Sequence, residues 1–150
     1  MVRKLVRAIA LAGSLMLPAL PLSAQVLELG VDSSPAGLDP HIITAFASFQ
    51  AVNQTMYEGL TVLDKDLRIG PSLAESWTVS PDGKTYTFKL RRGVTFHDGK
   101  PMEAEDVAAS MRRVMSTTIA SPLSSRLAAV DGVKVVDAQT VVFALKEPSA

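Results

Sequence analysis

Ser76-Trp77-Thr78-Val79-Ser80-Pro81-Asp82-Gly83-Lys84-Thr85-Tyr86-Thr87-Phe88-Lys89-Leu90 is the stretch that decides the fold class. Two runs rich in aromatic and β-branched residues flank Ser80-Pro81-Asp82-Gly83. Proline presets the backbone for a turn, and glycine accepts a positive φ without steric cost. The pattern predicts a β-hairpin. In its second arm Tyr86, Phe88 and Leu90 share one face and Thr85, Thr87 and Lys89 the other, the period of two that marks a strand lying on a core.

Toward the C-terminus the period changes. Val94-Thr95-Phe96 reads as a further short strand and His97-Asp98-Gly99-Lys100 as a turn. Glu103 to Met115 reads as a helix, with Val107, Met111, Val114 and Met115 as its apolar stripe. Glu103, Glu105 and Asp106 stand in its first turn and Arg112 and Arg113 in its last. Each charge then complements the helix dipole, worth about 0.3–1 kcal/mol when exposed. Thr117 to Ser125 is a polar connector. Val133–Val136 and Val141–Leu145 make a second hairpin across Asp137-Ala138-Gln139.

Toward the N-terminus, Leu60-Thr61-Val62-Leu63 is a strand candidate followed by a turn at Asp64-Lys65-Asp66. A helix is expected from Phe46, with Phe49, Val52, Met56 and Leu60 near one face and Gly59 able to end it. Asp32 to His41 is loop by composition, and Val26–Val31 a first strand. The class is mixed α and β.

Composition narrows the function. The 150 residues hold 15 Lys+Arg against 15 Asp+Glu, nine Gly, nine Pro and no Cys. Absent cysteine excludes a disulfide scaffold, a Cys-ligated metal site and a cysteine nucleophile. The balanced charge leaves no footprint for nucleic acid. Arg3, Lys4 and Arg7 precede an uncharged run from Ala8 to Leu22, and Ser23-Ala24 ends it. Fifteen residues make roughly 22 Å of helix, short of the ~30 Å bilayer core. Residues 1–24 therefore read as a cleaved secretory signal peptide without a lipid anchor. Its removal takes away three basic and no acidic residues and leaves a mildly acidic, soluble, exported chain, suited to the periplasm.

Chemistry-bearing motifs are weak singly. His41 and His97 are the two histidines, and as turn residues they are expected to be solvated rather than to bind metal. There is no G-x-S-x-G elbow and no glycine-rich phosphate loop. Glu105 and Asp106 are adjacent and point apart, so they are no acid–base pair. No cofactor is implied.

Read in order, the segments are more specific. They are Gly37-Leu38-Asp39-Pro40-His41, Met56-Tyr57-Glu58-Gly59-Leu60, Ser72-Leu73-Ala74-Glu75-Ser76-Trp77, Ser80 to Arg91, and Val94 to Pro101 with Ala104-Glu105-Asp106-Val107. Together they resemble bacterial extracellular solute-binding proteins of family 5, which serve peptide, nickel and glutathione ABC importers. The resemblance covers nearly all of residues 26–150.

It implies a periplasmic-binding-protein-like (type 2) bilobed α/β fold, of which this chain holds only a part. Residues 25–57 would begin the first lobe and 58–150 would form its mixed α+β accessory subdomain, incomplete; the second lobe is absent. It also implies a monomer that catalyses nothing. Such a protein closes on a short peptide or peptide-like solute and delivers it to a membrane permease. By position, the ligand-contacting loop past Asp39-Pro40 falls on Thr44, Ala45 and Phe46. Thr44 can donate and accept a hydrogen bond, and it can equally cap the helix beginning near Ala45. Some relatives carry an acidic residue here that pairs with a peptide amine, and this chain does not. Asp39 and His41 are read as loop architecture. The alternatives are a binder of nickel chelates or other small solutes in the same family, a small exported hydrolase using His97 and Asp98, and a free-standing β-rich interaction module.

Overall fold

The computed structural model describes residues 34–48 and 55–148, with Glu28 and Gly30. The expected signal peptide lies outside the described residues; of the expected strand over Val26–Val31 only Glu28 and Gly30 are described, and neither is in a strand. Of the helix expected from Phe46, residues 46–48 are helical, 49–54 lie outside the described residues, and 55–60 are turn and irregular chain.

The quoted hairpin forms. Strand β3 (Ala74–Val79) pairs antiparallel with β4 (Thr85–Leu90), with Val79 opposite Tyr86 and Trp77 opposite Phe88. Gly83 takes φ +69° at the turn, which the glycine was expected to allow. Before it, β1 (Thr61–Leu63) pairs with β2 (Ile69–Pro71), a separate two-stranded ribbon. Strand β2 was not foreseen, because Gly70 and Pro71 both disfavour strands. It forms at an edge, where proline's missing N–H costs nothing.

Strands β5 (Val130–Asp137) and β6 (Thr140–Leu145) are the second expected hairpin, with β5 starting three residues earlier than its valine run. The four-stranded sheet runs β3-β4-β6-β5, so β6 inserts between β4 and β5. Val94–Phe96 does not become a strand. It contributes a single bridge, Thr95 to Pro101, around the expected 97–100 turn. The 117–125 connector leads into a short 3₁₀ helix, Ser124–Leu127.

Helix α1 (Ala104–Met115) packs on β5 and β6. Its start is held twice: the Glu103 amide donates to Asp106 Oδ2 at 2.8 Å and the Ala104 amide to the Ala138 carbonyl at 2.9 Å. Val107 and Val114 are buried, and Met111 packs against the core. The core joins Val107 to Leu90, Met102, Ala104, Val141 and Phe143, with Met111, Tyr86 and Phe88 packed at its side. Phe88 meets Phe143 edge-on at 5.4 Å and Trp77 at 6.3 Å. Leu90, on the face assigned to the interior, is 1% exposed.

Candidate functional site

The loop past residue 36 is folded by its own short polar side chain. Asp39 Oδ1 accepts the His41 amide at 2.9 Å, and the Asp39 carbonyl accepts the amides of Ile42 and Ile43. Aspartate commonly closes a turn this way. The turn is then tied to distant elements. From the last turn of α1, Arg113 Nη1 donates to Asp39 Oδ1 at 3.0 Å and Nη2 to Asp39 Oδ2 at 2.6 Å. Nη1 also lies 2.8 Å from His41 Nδ1. Ser121, which is buried, donates its hydroxyl to the His41 carbonyl. Farther along, the Ala36 amide donates to Ser48 Oγ at 2.8 Å.

The electrostatics follow from these contacts. The Arg113 hydrogen bonds hold the Asp39 carboxyl below its ordinary range, helped by the His41 amide. Asp39 in turn raises the already high Arg113 value. His41 is lowered, first by burial and then by the Arg113 charge, against the opposing pull of Asp39.

This cluster borders a broad open concavity of about 1030 Å³. Its wall is largely apolar, with Leu38, Met56, Tyr57, Leu60, Phe96 and Met111 among the lining residues.

The three residues assigned to ligand contact lie elsewhere. Thr44, Ala45 and Phe46 are all exposed and none lines that concavity. Phe46 leaves 72% of its surface to solvent and Ile42, nearby, 42%. Helix residues begin at Phe46, the expected position. The loop is thus anchored behind, at Asp39, His41 and Ser48, and open in front.

Reading Asp39 and His41 as loop architecture agrees with these bonds. His41 departs from the expectation of a solvated turn histidine: it is partly buried against Arg113. Arg113 and Ser121 were not singled out as tie points. Arg113 also fits its expected place in the last turn of the helix, and nothing local points it to a residue 74 positions away. His97 does lie exposed in a turn. Asp98 beside it is engaged by Lys100, through both the ammonium at 2.7 Å and the backbone amide at 3.1 Å. Among the described residues no group of three His, Asp or Glu could hold a metal ion.

The family model for bacterial extracellular solute-binding proteins, family 5 Middle, matches residues 68–150. The chain belongs to this family. Among curated relatives, the glutathione-binding protein GsiB of Salmonella choleraesuis is 39% identical over 127 residues, which is 85% of this chain and 25% of GsiB. Among solved structures, Haemophilus influenzae OppA in complex with RPPGFSPFR superposes with a TM-score of 0.73 at 30% identity, covering 77% of this chain and 26% of OppA. NikZ from Campylobacter jejuni, in complex with Ni(L-His), gives 0.72 at 28%, covering 79% and 23%. The family 5 chain described here therefore shares the fold of one part of these binding proteins. It spans about a quarter of the length of the curated relatives it matches.

Proposed function

We propose that this chain is the exported leading part of the substrate-binding component of an ABC importer. It captures a short peptide or peptide-like solute by hinge closure and passes it to the permease without altering it. Residues 1–24 are the signal peptide, 25–57 begin the first lobe, and 58–150 form its accessory subdomain. The location is the periplasm and the protein acts as a monomer.

One observation carries the reading: the loop bearing Thr44, Ala45 and Phe46 is exposed in front and pinned behind. A fixed loop with an exposed aromatic suits ligand capture, because little ordering remains to be done on binding. Hinge closure is then favoured by the extra contacts that ligand makes in the closed state. GsiB is named for binding glutathione and OppA is seen with a peptide, which supports the solute class. The hydrolase alternative is weaker, since Asp98 is taken up by Lys100. The nickel-chelate alternative stands on the likeness to NikZ.

The test is a thermal-unfolding screen of the protein encoded by the complete open reading frame. Dipeptides, tripeptides, glutathione and nickel complexes are the arms. A true ligand at a hundredfold excess over Kd stabilises by about 2.7 kcal/mol. A shift with nickel–histidine alone selects the alternative, and no shift in any arm overturns the assignment. The 150-residue chain by itself is expected to show no saturable binding, because a closing cleft needs two walls.

A further inference from the structure

We infer that the contact between His41 and Arg113 is a pH-operated tie between the 36–43 loop and α1, closed while the imidazole is neutral and released when it is protonated. The geometry requires this. Arg113 Nη1 lies 2.8 Å from His41 Nδ1. A guanidinium has only donors and stays protonated at any accessible pH, so Nδ1 must accept. That fixes His41 as the neutral tautomer with its proton on Nε2. Protonation would put an N–H on Nδ1, donor facing donor, and a second positive charge beside the first.

The charged surroundings do not cancel this. Asp39 favours the imidazolium, but both its oxygens are already engaged by Arg113. Burial and the Arg113 charge outweigh it, and they lower the His41 value. Tyr57 and Glu58 from the 55–60 segment, His97 from the 97–99 turn and Asp106 from α1 line the same concavity. Arg113 and Asp39 are the charges that act on His41.

The sign follows. A histidine whose folded value is depressed contributes stability that is complete above the unfolded value of about 6.5 and declines as the pH falls below it. The tie itself opens as the pH falls through the folded value. The Asp39–Arg113 pair and the backbone bonds of His41 do not pass through the imidazole, so protonation releases one of the two side-chain ties that hold the turn to α1 and loosens the turn without freeing it. This holds whether or not Thr44–Phe46 hold a ligand.

The experiment is hydrogen–deuterium exchange of peptides covering residues 39–48 between pH 7.5 and pH 4, corrected for intrinsic exchange, with the β3–β4 hairpin as internal reference. Protection in 39–48 is expected to fall at least fivefold across that range while the hairpin stays constant. His41→Gln, whose side-chain oxygen still accepts from Arg113 and does not titrate, is expected to remove the step. No step in the unaltered protein, or the same step in His41→Gln, overturns the inference. If the variant fails to fold, NMR titration of the His41 imidazole in the unaltered protein decides: it must titrate below the free-histidine value of about 6.5, and a value at or above that sinks the tie.

Discussion

The amide of Leu90 donates to the carbonyl of Gln139 at 2.8 Å, fastening the end of β4 to the turn between β5 and β6. The neighbouring Ala138 carbonyl receives the first amide of α1. One two-residue turn therefore joins the hairpin, the second hairpin and the helix, and the Leu90 side chain sits buried at that junction.

Leu90→Ala is expected to cost about 2–5 kcal/mol, the range for emptying a packed leucine site. Urea unfolding measures it. A loss under 1 kcal/mol would mean that the junction is not where the core closes.

Gly83→Ala places a side chain at φ +69° with its Cβ 3.2 Å from Pro148 Cβ. The left-handed backbone alone costs roughly 1–2 kcal/mol. Equilibrium unfolding of this variant should show that loss or more, and unchanged stability would contradict the turn geometry.

Asp106→Ala removes the acceptor of the Glu103 amide. A lost helix cap costs about 1 kcal/mol. Asp106→Asn, which keeps an oxygen there, should recover most of it in the same assay.

Asp39→Asn tests the carboxylate that Arg113 holds. The folded value of Asp39 is lowered, so its contribution is present above the unfolded value of about 3.9 and is lost as the pH falls through the folded one. Unaltered protein should exceed the variant in stability at pH 7, and the gap should narrow at pH 3. A gap independent of pH would show that the charge is not what matters.

Phe46→Ala should leave stability within about 0.5 kcal/mol, because the ring is exposed. In the protein from the complete reading frame it should weaken binding of whichever screened solute stabilises it by about five- to tenfold, the loss of ~1 kcal/mol of ring contact. Isothermal titration reads both affinity and enthalpy. Unchanged affinity would move the ligand surface away from this loop.

The features legible in the sequence are those written in local pattern. Alternation around Pro81-Asp82-Gly83 located a hairpin, and the Glu103-to-Arg113 charge gradient located a helix within a residue of its ends. Features set by distant partners were not legible. Ile69–Pro71 has no strand character of its own and takes it from Thr61–Leu63 across the ribbon. Val94–Phe96 has strand composition but finds only one bridge. The loop proposed to meet ligand was assigned by resemblance alone, and its fastening was not legible, since Asp39, Arg113 and Ser121 meet only after the chain has folded.

The insertion of β6 between β4 and β5 has a consequence for how this polypeptide is made. Until residues 140–145 have left the ribosome, the first hairpin is a bare two-stranded ribbon, marginal in water. Helix α1 likewise has no sheet face to rest on. The unit therefore closes only once Thr140–Leu145 have emerged, and a nascent chain stalled before Thr140 would stay open to chaperones.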